Sequence, residues 1–215
     1  MPANRFGNIT AVADTDLTFP RGFFDRSDPR DDAVFYGPPR LVQHIDDAAV
    51  AAVSAYYDEV GVDGDVLDLM SSWVSHLSTP PRHLTVLGMN HAELRANTWA
   101  HERVVHDLNT DPTLPFADAS FDTVVSTVSV DYLTRPVEVF REVARVLRPG
   151  GPFAITFSNR CFPTKAVRGW LSTDDAGHVR IVRDYFAASG AFAEPVDQQR
   201  PSAGDPVFAV CATRL

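Results

Sequence analysis

Residues 65–77 have the types and spacing that best suit the binding of a small charged ligand. Three apolar residues near the start of this stretch predict a buried strand: Val66, Leu67 and Leu69. Ser71 or Ser72 is a natural N-cap for a helix that we expect to follow the strand. Ligands of open parallel sheets bind beyond the carboxyl ends of the strands, where a helix N-terminus offers unpaired N–H groups. The stretch therefore predicts a site for a nucleotide-like cofactor. Such turns usually carry glycines, and this one has other residues in their place: Met70, Ser72 and Val74.

The elements that must position this site alternate between strands and helices. Hydrophobic patterning and β-branched residues predict further strands at 83–87, 103–106, 121–129, 153–157, near Val196 and at 207–213. Helices are predicted at 136–147, 163–171 and 175–189, and also from Asn90 to about residue 98. Asn90 and Glu93 form a capping box in that last helix. Strands that alternate with helices imply a mostly parallel sheet covered on both faces.

The first 60 residues precede this alternating pattern. Residues 1–38 show no sustained period but are dense in aromatic side chains, among them Phe19, Phe23, Phe24, Phe35 and Tyr36. That density is too high for a disordered tail, so we expect an ordered segment across the core, either a lid over the site or a structural wrap. Apolar residues at three- or four-residue steps predict a helix at 39–60, with Pro39 and Gly61 suiting its ends. We therefore divide the chain into an N-terminal lid segment and helix, 1–60, and an α/β domain, 61–215.

Composition limits the functions open to the chain. Its 215 residues, 45% hydrophobic and 22% charged, fit a globular domain. A net charge of -9 argues against a nucleic-acid partner. There is no apolar run of ~20 residues and no sign of a secretion signal. The two cysteines lack paired spacing, which suits a reducing cytosol, and no metal-ligand cluster has convincing spacing. We expect a cytoplasmic monomer or homodimer that binds a small molecule, with no membrane, nucleic-acid or metal partner.

Two motifs carry a resemblance to a known family. The first is L-P-F-A-D-A-S-F-D-T-V-V-S at 114–126, and the second is F-R-E-V-A-R-V-L-R-P-G-G at 140–151. With them the chain resembles the class I S-adenosylmethionine-dependent methyltransferases, of the small-molecule type 11 kind. The resemblance extends over about 64–158. It implies a Rossmann-like, seven-stranded, mostly parallel sheet with helices on both faces, and S-adenosylmethionine as the cofactor.

The resemblance assigns cofactor positions in the first turn. It implies Asp68 as the acid of the first-strand motif, and Met70, Ser71, Ser72 and Trp73 as the loop that is glycine-rich in the family. The serines are small and could donate hydrogen bonds to the methionine carboxylate, helped by the partial positive charge of the expected helix N-terminus. Trp73 would wall the pocket. The alternatives are a structural hydrogen bond to the loop for Asp68 and core packing for Trp73.

Further cofactor positions follow the second and third strands. The family's ribose-binding acid is replaced by Gly88, so we expect backbone groups at Gly88 and Met89, or Asn90, to hold the ribose. Asp107 is implied to accept a hydrogen bond from the adenine amino group, with Leu108 packed on the ring. The alternative for Asp107 is a turn residue that caps its own backbone.

The acceptor side is implied at the end of the fourth strand, where Thr127 matches a position beside the methionine and sulfonium. A base is needed only if the acceptor must lose a proton, and five side chains are candidates: Asp131, Tyr132, His44, His76 and Tyr36. The alternative for His44 is a surface or capping role. Asn159 and Arg160 could orient an acceptor carboxylate or carbonyl, although Arg160 could equally pair with an acid of the tail.

These inferences predict an enzyme that methylates a small molecule at O, N or S with S-adenosylmethionine. The altered first turn and Gly88 leave one alternative, a non-catalytic or repurposed ligand-binding protein of the same fold with a degenerate cofactor loop. A nicotinamide-dependent dehydrogenase is not favoured, because both GxGxxG and an acid at the end of the second strand are missing.

Overall fold

The fold is built on a seven-stranded sheet in a computed structural model that describes residues 19–215. The strand order is β3-β2-β1-β4-β5-β7-β6. Strands β1 to β5 pair in parallel, and β7 runs antiparallel to both β5 and β6. The strands are β1 (Asp65–Leu69), β2 (His83–Gly88), β3 (Glu102–Val105), β4 (Thr123–Thr127), β5 (Pro152–Phe157), β6 (Val196–Arg200) and β7 (Val207–Thr213). The predicted Rossmann-like sheet is therefore confirmed.

Helices cover both faces of the sheet. Within residues 19–215 they are α1 (Asp32–Tyr36), α2 (Asp47–Val60), α3 (His91–Ala96), α4 (Pro136–Val146), α5 (Arg168–Leu171) and α6 (Asp175–Ser189). One hydrophobic cluster joins α4, α6 and the sheet through the buried rings of Phe140, Phe153 and Phe186. A second cluster joins α2 to the opposite face through Val53 and Tyr57. The central strands β1, β2, β4 and β5 are buried almost throughout, as expected for parallel strands covered on both faces.

Helix α2 begins at Asp47, so the prediction of a helix from residue 39 is wrong. The Asp46 carboxylate accepts a hydrogen bond from the Ala49 N–H at 2.8 Å and caps the helix there. The backbone N–H of Arg40 donates to the Glu93 side chain of α3 instead of to a helical carbonyl. Gly61 ends the helix in the left-handed region with φ 77°, as its sequence position predicted.

No helix follows β1, so the predicted helix after Ser71 or Ser72 is also wrong. Residues 70–82, which connect β1 to β2, are irregular. Met70 and His76 have φ of 58° and 51°, in a left-handed region that L-residues do not adopt in an α-helix. The partial positive charge expected from a helix N-terminus is therefore not provided here.

Side chains of two neighbouring helices hold this irregular connection in place. The Ser54 hydroxyl of α2 donates to the carbonyl oxygen of His76 at 2.8 Å. The Asn97 amide, at the end of α3, donates to the hydroxyl of buried Ser75 at 2.8 Å. Leu77 is buried among the residues of the second cluster. The connection thus fills the layer between α2 and α3 that a helix would otherwise occupy.

Smaller departures concern short elements in the chain. The predicted helix at 163–171 narrows to Arg168–Leu171, and α1 and a 3₁₀ turn at Val130–Tyr132 were not predicted. The domain boundary at residue 60 stays a prediction, and α2 packs against β5, β6 and β7. Between residues 19 and 215 no helix has both the length and the apolar character needed to span a membrane.

Candidate functional site

A cleft lies at the carboxyl ends of β1 to β4. It contains about 1140 Å³ of empty space, including the part open to solvent. Its walls come from the loops after these strands, from residues 32–44 and from Phe162. The strand order reverses between β1 and β4, and this kind of switch point is where open α/β sheets bind ligands.

The cleft collects the residues that the resemblance assigned to the cofactor. All of them line it: Asp68, Met70, Ser71, Ser72, Trp73, Gly88, Met89, Asn90, Asp107, Leu108 and Thr127. Four of the candidate bases line it as well: Tyr36, His44, His76 and Tyr132. Asp131, Asn159 and Arg160 do not line it, and Arg160 lies 3.9 Å from Asp205. Arg160 therefore lies beside an acid of the tail, which is the alternative that the sequence left open for it.

Asp68 is the residue before the last in β1, and its carboxyl group is buried. The Ser71 hydroxyl donates to its Oδ2 at 2.6 Å. Burial raises the pKa of Asp68 to about 7, against the opposing hydrogen bonds from Ser71 and Ser75. Because its pKa lies near neutral pH, the carboxyl group can be protonated or ionised there, and a cationic ligand would favour the ionised form.

The turn after β1 crosses the end of β2 in close contact. The Ser71 N–H donates to the Leu87 carbonyl at 2.7 Å. A Cβ built on Gly88 would overlap the Ser71 carbonyl oxygen. Gly88 is therefore required by the approach of another backbone, and an acid at this position does not fit the observed turn.

Glu93 of α3 is a cleft residue that the sequence analysis missed as a site residue. Its Oε1 accepts from the backbone N–H of Arg40 at 2.6 Å, and its Oε2 accepts from the Ser72 hydroxyl at 2.6 Å. The sequence pattern predicts Glu93 as half of a capping box. Asn90 does cap α3, accepting from the N–H groups of Ala92 and Glu93, but the Glu93 carboxylate does not return the bond.

Residues 28–44, which we call the strap, roof the cleft. The Asn90 amide donates to the carbonyls of Tyr36 and Gly37 at 2.9 and 2.8 Å. The indole Nε1 of Trp73 donates to the carbonyl of Val42 at 3.1 Å. The strap is therefore bonded to the ends of β1 and β2. That it opens as a lid stays a prediction, and residues 1–18 of the predicted lid lie outside the described residues.

Asp32 fixes the other end of the strap through a buried ionic cluster. Its carboxylate accepts from Arg26 at 2.7 Å, Asn109 at 2.8 Å and Lys165 at 3.0 Å. Burial of Asp32 opposes ionisation, but these hydrogen bonds outweigh it and lower the pKa of Asp32 below its usual value. The Lys165 side chain is 0% exposed and also donates to the Arg30 carbonyl at 2.9 Å. Paired in this way, the charges stabilise the strap against the loops after β3 and β5.

Asp107 follows β3 and caps its own turn. It accepts from the Asn109 N–H at 2.9 Å and from the Thr110 hydroxyl at 2.7 Å. This is the alternative that the sequence left open. Asp107 also lines the cleft, and its role toward an adenine amino group stays a prediction.

Four rings form one side of the cleft, which we call the aromatic wall: Tyr36, Tyr132, Phe162 and His44. Successive centroids lie 6.4, 5.9 and 5.1 Å apart. The Phe162 N–H donates to the Tyr132 hydroxyl at 2.9 Å, which fixes two of these residues together. The wall brings the strap and the loops after β4 and β5 into one surface.

Three non-glycine residues that line the cleft have left-handed backbone conformations. Met70, His76 and Val128 have φ of 58°, 51° and 45°, and Val128 is β-branched, which makes its conformation a strong outlier. Such strain costs on the order of 1–3 kcal/mol per residue and tends to occur at functional sites. Among the described residues, Ala119 is the one other non-glycine case.

Two polar atoms in the cleft lining are buried without a hydrogen-bond partner, the Tyr36 hydroxyl and His76 Nδ1. Burial, and then the nearby His44, lower the pKa of His76 to about 4. Burial, and then the charges of Asp32 and Asp131, raise the pKa of Tyr36 well above its usual value. At neutral pH the imidazole is thus neutral and the phenol protonated.

Asp131 is the middle residue of the 3₁₀ turn and lies behind the cleft, whereas Tyr132, the last residue of that turn, lines it. Its carboxyl group is buried, with Oδ2 unpaired, and burial raises its pKa to about 8. In the described part of the chain no group of three or more His, Cys, Asp or Glu residues is arranged to hold a metal ion.

Other residues that sequence reasoning did not assign also line the cleft, among them Arg40, Val42 and Phe162. Arg40 and Phe162 stand in irregular segments, where no period reveals which way a side chain faces. An acid shortly after the second strand was the one available signal, and it pointed to Glu93.

Comparison with known proteins agrees with this geometry. Residues 70–155 match a family described as a methyltransferase domain. The ubiquinone/menaquinone biosynthesis C-methyltransferase UbiE of Rubrivivax gelatinosus is 33% identical over 132 residues, 60% of this chain and 49% of that protein. The biotin biosynthesis bifunctional protein BioHC of Teredinibacter turnerae is 32% identical over 78 residues, 36% of this chain and 14% of that protein.

Solved structures share the fold. An S-adenosylmethionine-dependent methyltransferase of Thermotoga maritima superposes with a TM-score of 0.56 at 13% identity, covering 78% of this chain and 88% of that one. The family match over residues 70–155, the strand order and the shared fold together support a class I S-adenosylmethionine-dependent methyltransferase fold for this chain. The chain spans about half of the UbiE relative and about a seventh of BioHC, so its reaction and acceptor are matters for proposal.

Proposed function

We propose that the protein transfers a methyl group from S-adenosylmethionine to a small-molecule acceptor bound in the cleft. The observation that carries the proposal is the convergence of two sets of residues on one cleft. Every position that the resemblance assigned to the cofactor lines it, and so does an aromatic wall with unpaired polar groups beside it. A cleft with both parts suits a two-substrate reaction.

The cleft residues fit the cofactor, with changed partners at two places. Asp107 and Leu108 suit the adenine. Asn90 has both its amide and its carbonyl engaged. The ribose hydroxyls are assigned to the backbone at Met89 and to Glu93, where they would compete with Arg40 or Ser72. The methionine carboxylate is assigned to the backbone N–H groups of Ser72 and Trp73, without a helix behind them.

When bound, the cofactor supplies an electrophilic methyl group on a sulfonium. The chain contributes position, and orientation of two reactants can lower a barrier by ~7–11 kcal/mol. The strap roofs the cleft and limits the water that reaches it. Asp68, poised near neutrality, suits the cofactor's cationic amino group.

Calorimetry with S-adenosylmethionine and S-adenosylhomocysteine tests the proposal. Saturable micromolar binding of both is expected. Asp107→Ala removes a charge-assisted acceptor contributing ~1.5–3 kcal/mol, so affinity should fall roughly ten- to more than a hundredfold. The matched control is Asp111→Ala, which removes an exposed acid that caps the same loop and should leave affinity unchanged. Equal affinities in the two variants would refute the adenine role.

The competing proposal is a repurposed ligand-binding protein of the same fold. It is favoured by the missing helix after β1 and by the close contact at Gly88, which excludes the family's acid. Failure of a folded protein to bind either nucleoside would decide for it.

A further inference from the structure

We infer that the acceptor is a planar aromatic molecule carrying a hydroxyl group, bound along the aromatic wall, and that His76 accepts the hydroxyl proton. The inference rests on the proposed function, since it concerns the acceptor end of the same cleft. Three observations carry it: the charges in the cleft are paired, two neutral polar atoms are not, and rings line the wall.

The charged groups of the cleft are already engaged by the protein. Arg40 donates to the carbonyls of Phe35 and Pro38 at 2.8 and 3.3 Å and lies 4.5 Å from the Phe35 ring centroid. An acceptor carboxylate would have to take Arg40 from these partners. The acids of the lining accept hydrogen bonds from protein groups: Asp32, Asp68, Glu93 and Asp107. Asp68 is assigned to the cofactor's own amino group and the other three acids already pair with protein groups, so the cleft suits a neutral acceptor.

The two unpaired atoms call for a neutral hydrogen-bonding ligand. His76 Nδ1 and the Tyr36 hydroxyl are buried with no protein partner, and an unpaired buried polar group costs about 1–3 kcal/mol. The protonated Tyr36 hydroxyl can donate to a ligand oxygen. Neutral His76 can accept a proton from a ligand hydroxyl. A hydroxyl-bearing acceptor satisfies these requirements without bringing a charge into the cleft.

The aromatic wall indicates the shape of the acceptor. Its ring centroids lie 5.1 to 6.4 Å apart, which leaves a broad apolar surface that a planar ring can cover. Aromatic pairs contribute about 0.5–1.5 kcal/mol beyond the area they bury. Phe162, between His44 and Tyr132, has no polar group and is the natural place for ring contact.

His76 is the best placed of the candidate bases. Tyr132 already accepts a hydrogen bond from Phe162, and burial raises its pKa far above neutral. Asp131 lies behind the cleft. His44 of the strap is the titratable group that acts on His76 and disfavours its protonated form, while Ser54 of α2 holds its carbonyl. The imidazole is thereby kept neutral and oriented.

The step balances without a further reactant. The acceptor oxygen forms a bond to the methyl carbon as the sulfur–methyl bond breaks, and the bonding pair stays on sulfur. The hydroxyl proton passes to the His76 imidazole and from there to solvent. The products are an aryl methyl ether and a neutral thioether.

The acceptor class is tested with three probes on one scaffold: 2-naphthol, 2-naphthoate and 2-naphthylmethylamine. Each is titrated into the protein saturated with S-adenosylhomocysteine, then assayed for methyl transfer with S-adenosylmethionine. The naphthol is expected to bind at least tenfold more tightly than the others and to be methylated on oxygen. Preference for the carboxylate or the amine, or no binding of naphthol, overturns the inference. Failure of the proposed function is recognised separately, because S-adenosylhomocysteine itself would not bind.

The role of His76 is tested with His76→Asn. Asparagine tolerates the left-handed backbone that His76 adopts, so the connection should keep its shape. Loss of a general base should lower kcat for the naphthol about 10²–10⁴-fold and leave S-adenosylhomocysteine affinity unchanged. The residual rate should rise about tenfold per pH unit from pH 6 to 9 as the phenolate fraction grows, whereas the rate of the unmodified protein stays nearly flat. His91→Asn, on the exposed first turn of α3, is the matched control. Unchanged transfer in His76→Asn, or an equal loss of cofactor affinity, excludes the role.

Discussion

Two connections join neighbouring parallel strands of this sheet in different ways. Between β4 and β5 the chain forms α4, which starts at Pro136 and buries Phe140 and Val143 against the sheet. Between β1 and β2 the chain stays irregular and is held by Ser54 and Asn97. In the first connection only the residues before α4 line the cleft, and α4 itself packs on one face away from it, whereas the second connection lines the cleft.

The difference shows how a connection without a helix satisfies its polar groups. A helix pairs its own N–H and C=O groups, so its contribution to the fold is mainly the apolar face it buries. An irregular connection must borrow partners from neighbouring elements. Those partners then fix the shape of the cleft as well as the fold. Substitutions in α4 should therefore change stability without changing ligand binding, whereas substitutions at residues 70–82 should change both.

The largest effect on stability is expected from Phe140→Ala. Phe140 is fully buried and contacts the rings of Phe153, Tyr185 and Phe186. Removing its ring should lower the free energy of unfolding by about 3–5 kcal/mol, measured by urea denaturation. S-adenosylhomocysteine affinity of the folded fraction should not change. A weakened affinity would show that the two faces are not separable.

The next effect concerns Gly88→Ala at the end of β2. The added Cβ meets the Ser71 carbonyl, which is backbone and cannot swing away. Overpacking should cost about 1–3 kcal/mol and lower S-adenosylhomocysteine affinity at least about tenfold, since the turn that binds it must shift. Gly150→Ala is the control in the other connection, because a Cβ there meets nothing and only its φ of 77° is strained. It should cost about 1–2 kcal/mol with no change in binding. Equal binding losses would contradict the comparison.

A comparable or smaller loss is expected from Asn97→Ala. It leaves the buried Ser75 hydroxyl without its donor, at a cost of about 1–2 kcal/mol, and should also weaken S-adenosylhomocysteine binding by loosening residues 70–82. Combining it with Ser75→Ala should give a coupling energy between the two substitutions, because the two side chains share this hydrogen bond. Strict additivity of the two substitutions in a double-mutant cycle would rule out this coupling.

The mildest change is the isosteric Asp131→Asn. Burial raises the pKa of Asp131 to about 8, so between about pH 4 and 8 the folded state holds a proton that the unfolded state releases. The stability that this proton contributes is present at low pH and is lost as the pH rises through this window. Tm values of the two proteins should agree near pH 4, and the variant should become progressively the more stable toward pH 8. A constant difference across this range would mean that Asp131 does not titrate there.

Much of the fold could be predicted from the sequence because its signals are local. The bounds of α6 and β7 match the predicted ones, since Asp174 and Gly190 cap the helix and a continuous apolar run marks the strand. Asn90 was recognised as a cap for the same reason. Strand order followed from the alternation of elements together with the family resemblance.

The connection after β1 could not be predicted because its cause is not local. Ser71 and Ser72 resemble helix caps, but their hydroxyls are bound by Asp68 and Glu93. Ser54 and Asn97, which hold the irregular path, come from distant parts of the sequence. The cleft residues were assigned largely through the resemblance, while Arg40, Glu93 and Phe162 depend on how the strap lies, and no periodic pattern encodes that.

Glu93 has a consequence for how fast a bound nucleoside can leave. Its two carboxylate oxygens are already committed, one to the strap at Arg40 and one to the first turn at Ser72. In the proposed enzyme, a ribose hydroxyl that binds Glu93 must compete with one of these bonds. By thermodynamic reciprocity, the coupling that makes the closed strap disfavour the ligand makes the ligand disfavour the closed strap to the same extent. Binding of the ligand therefore weakens the contact between Glu93 and the strap. A more weakly held strap lowers the barrier for the spent cofactor to depart.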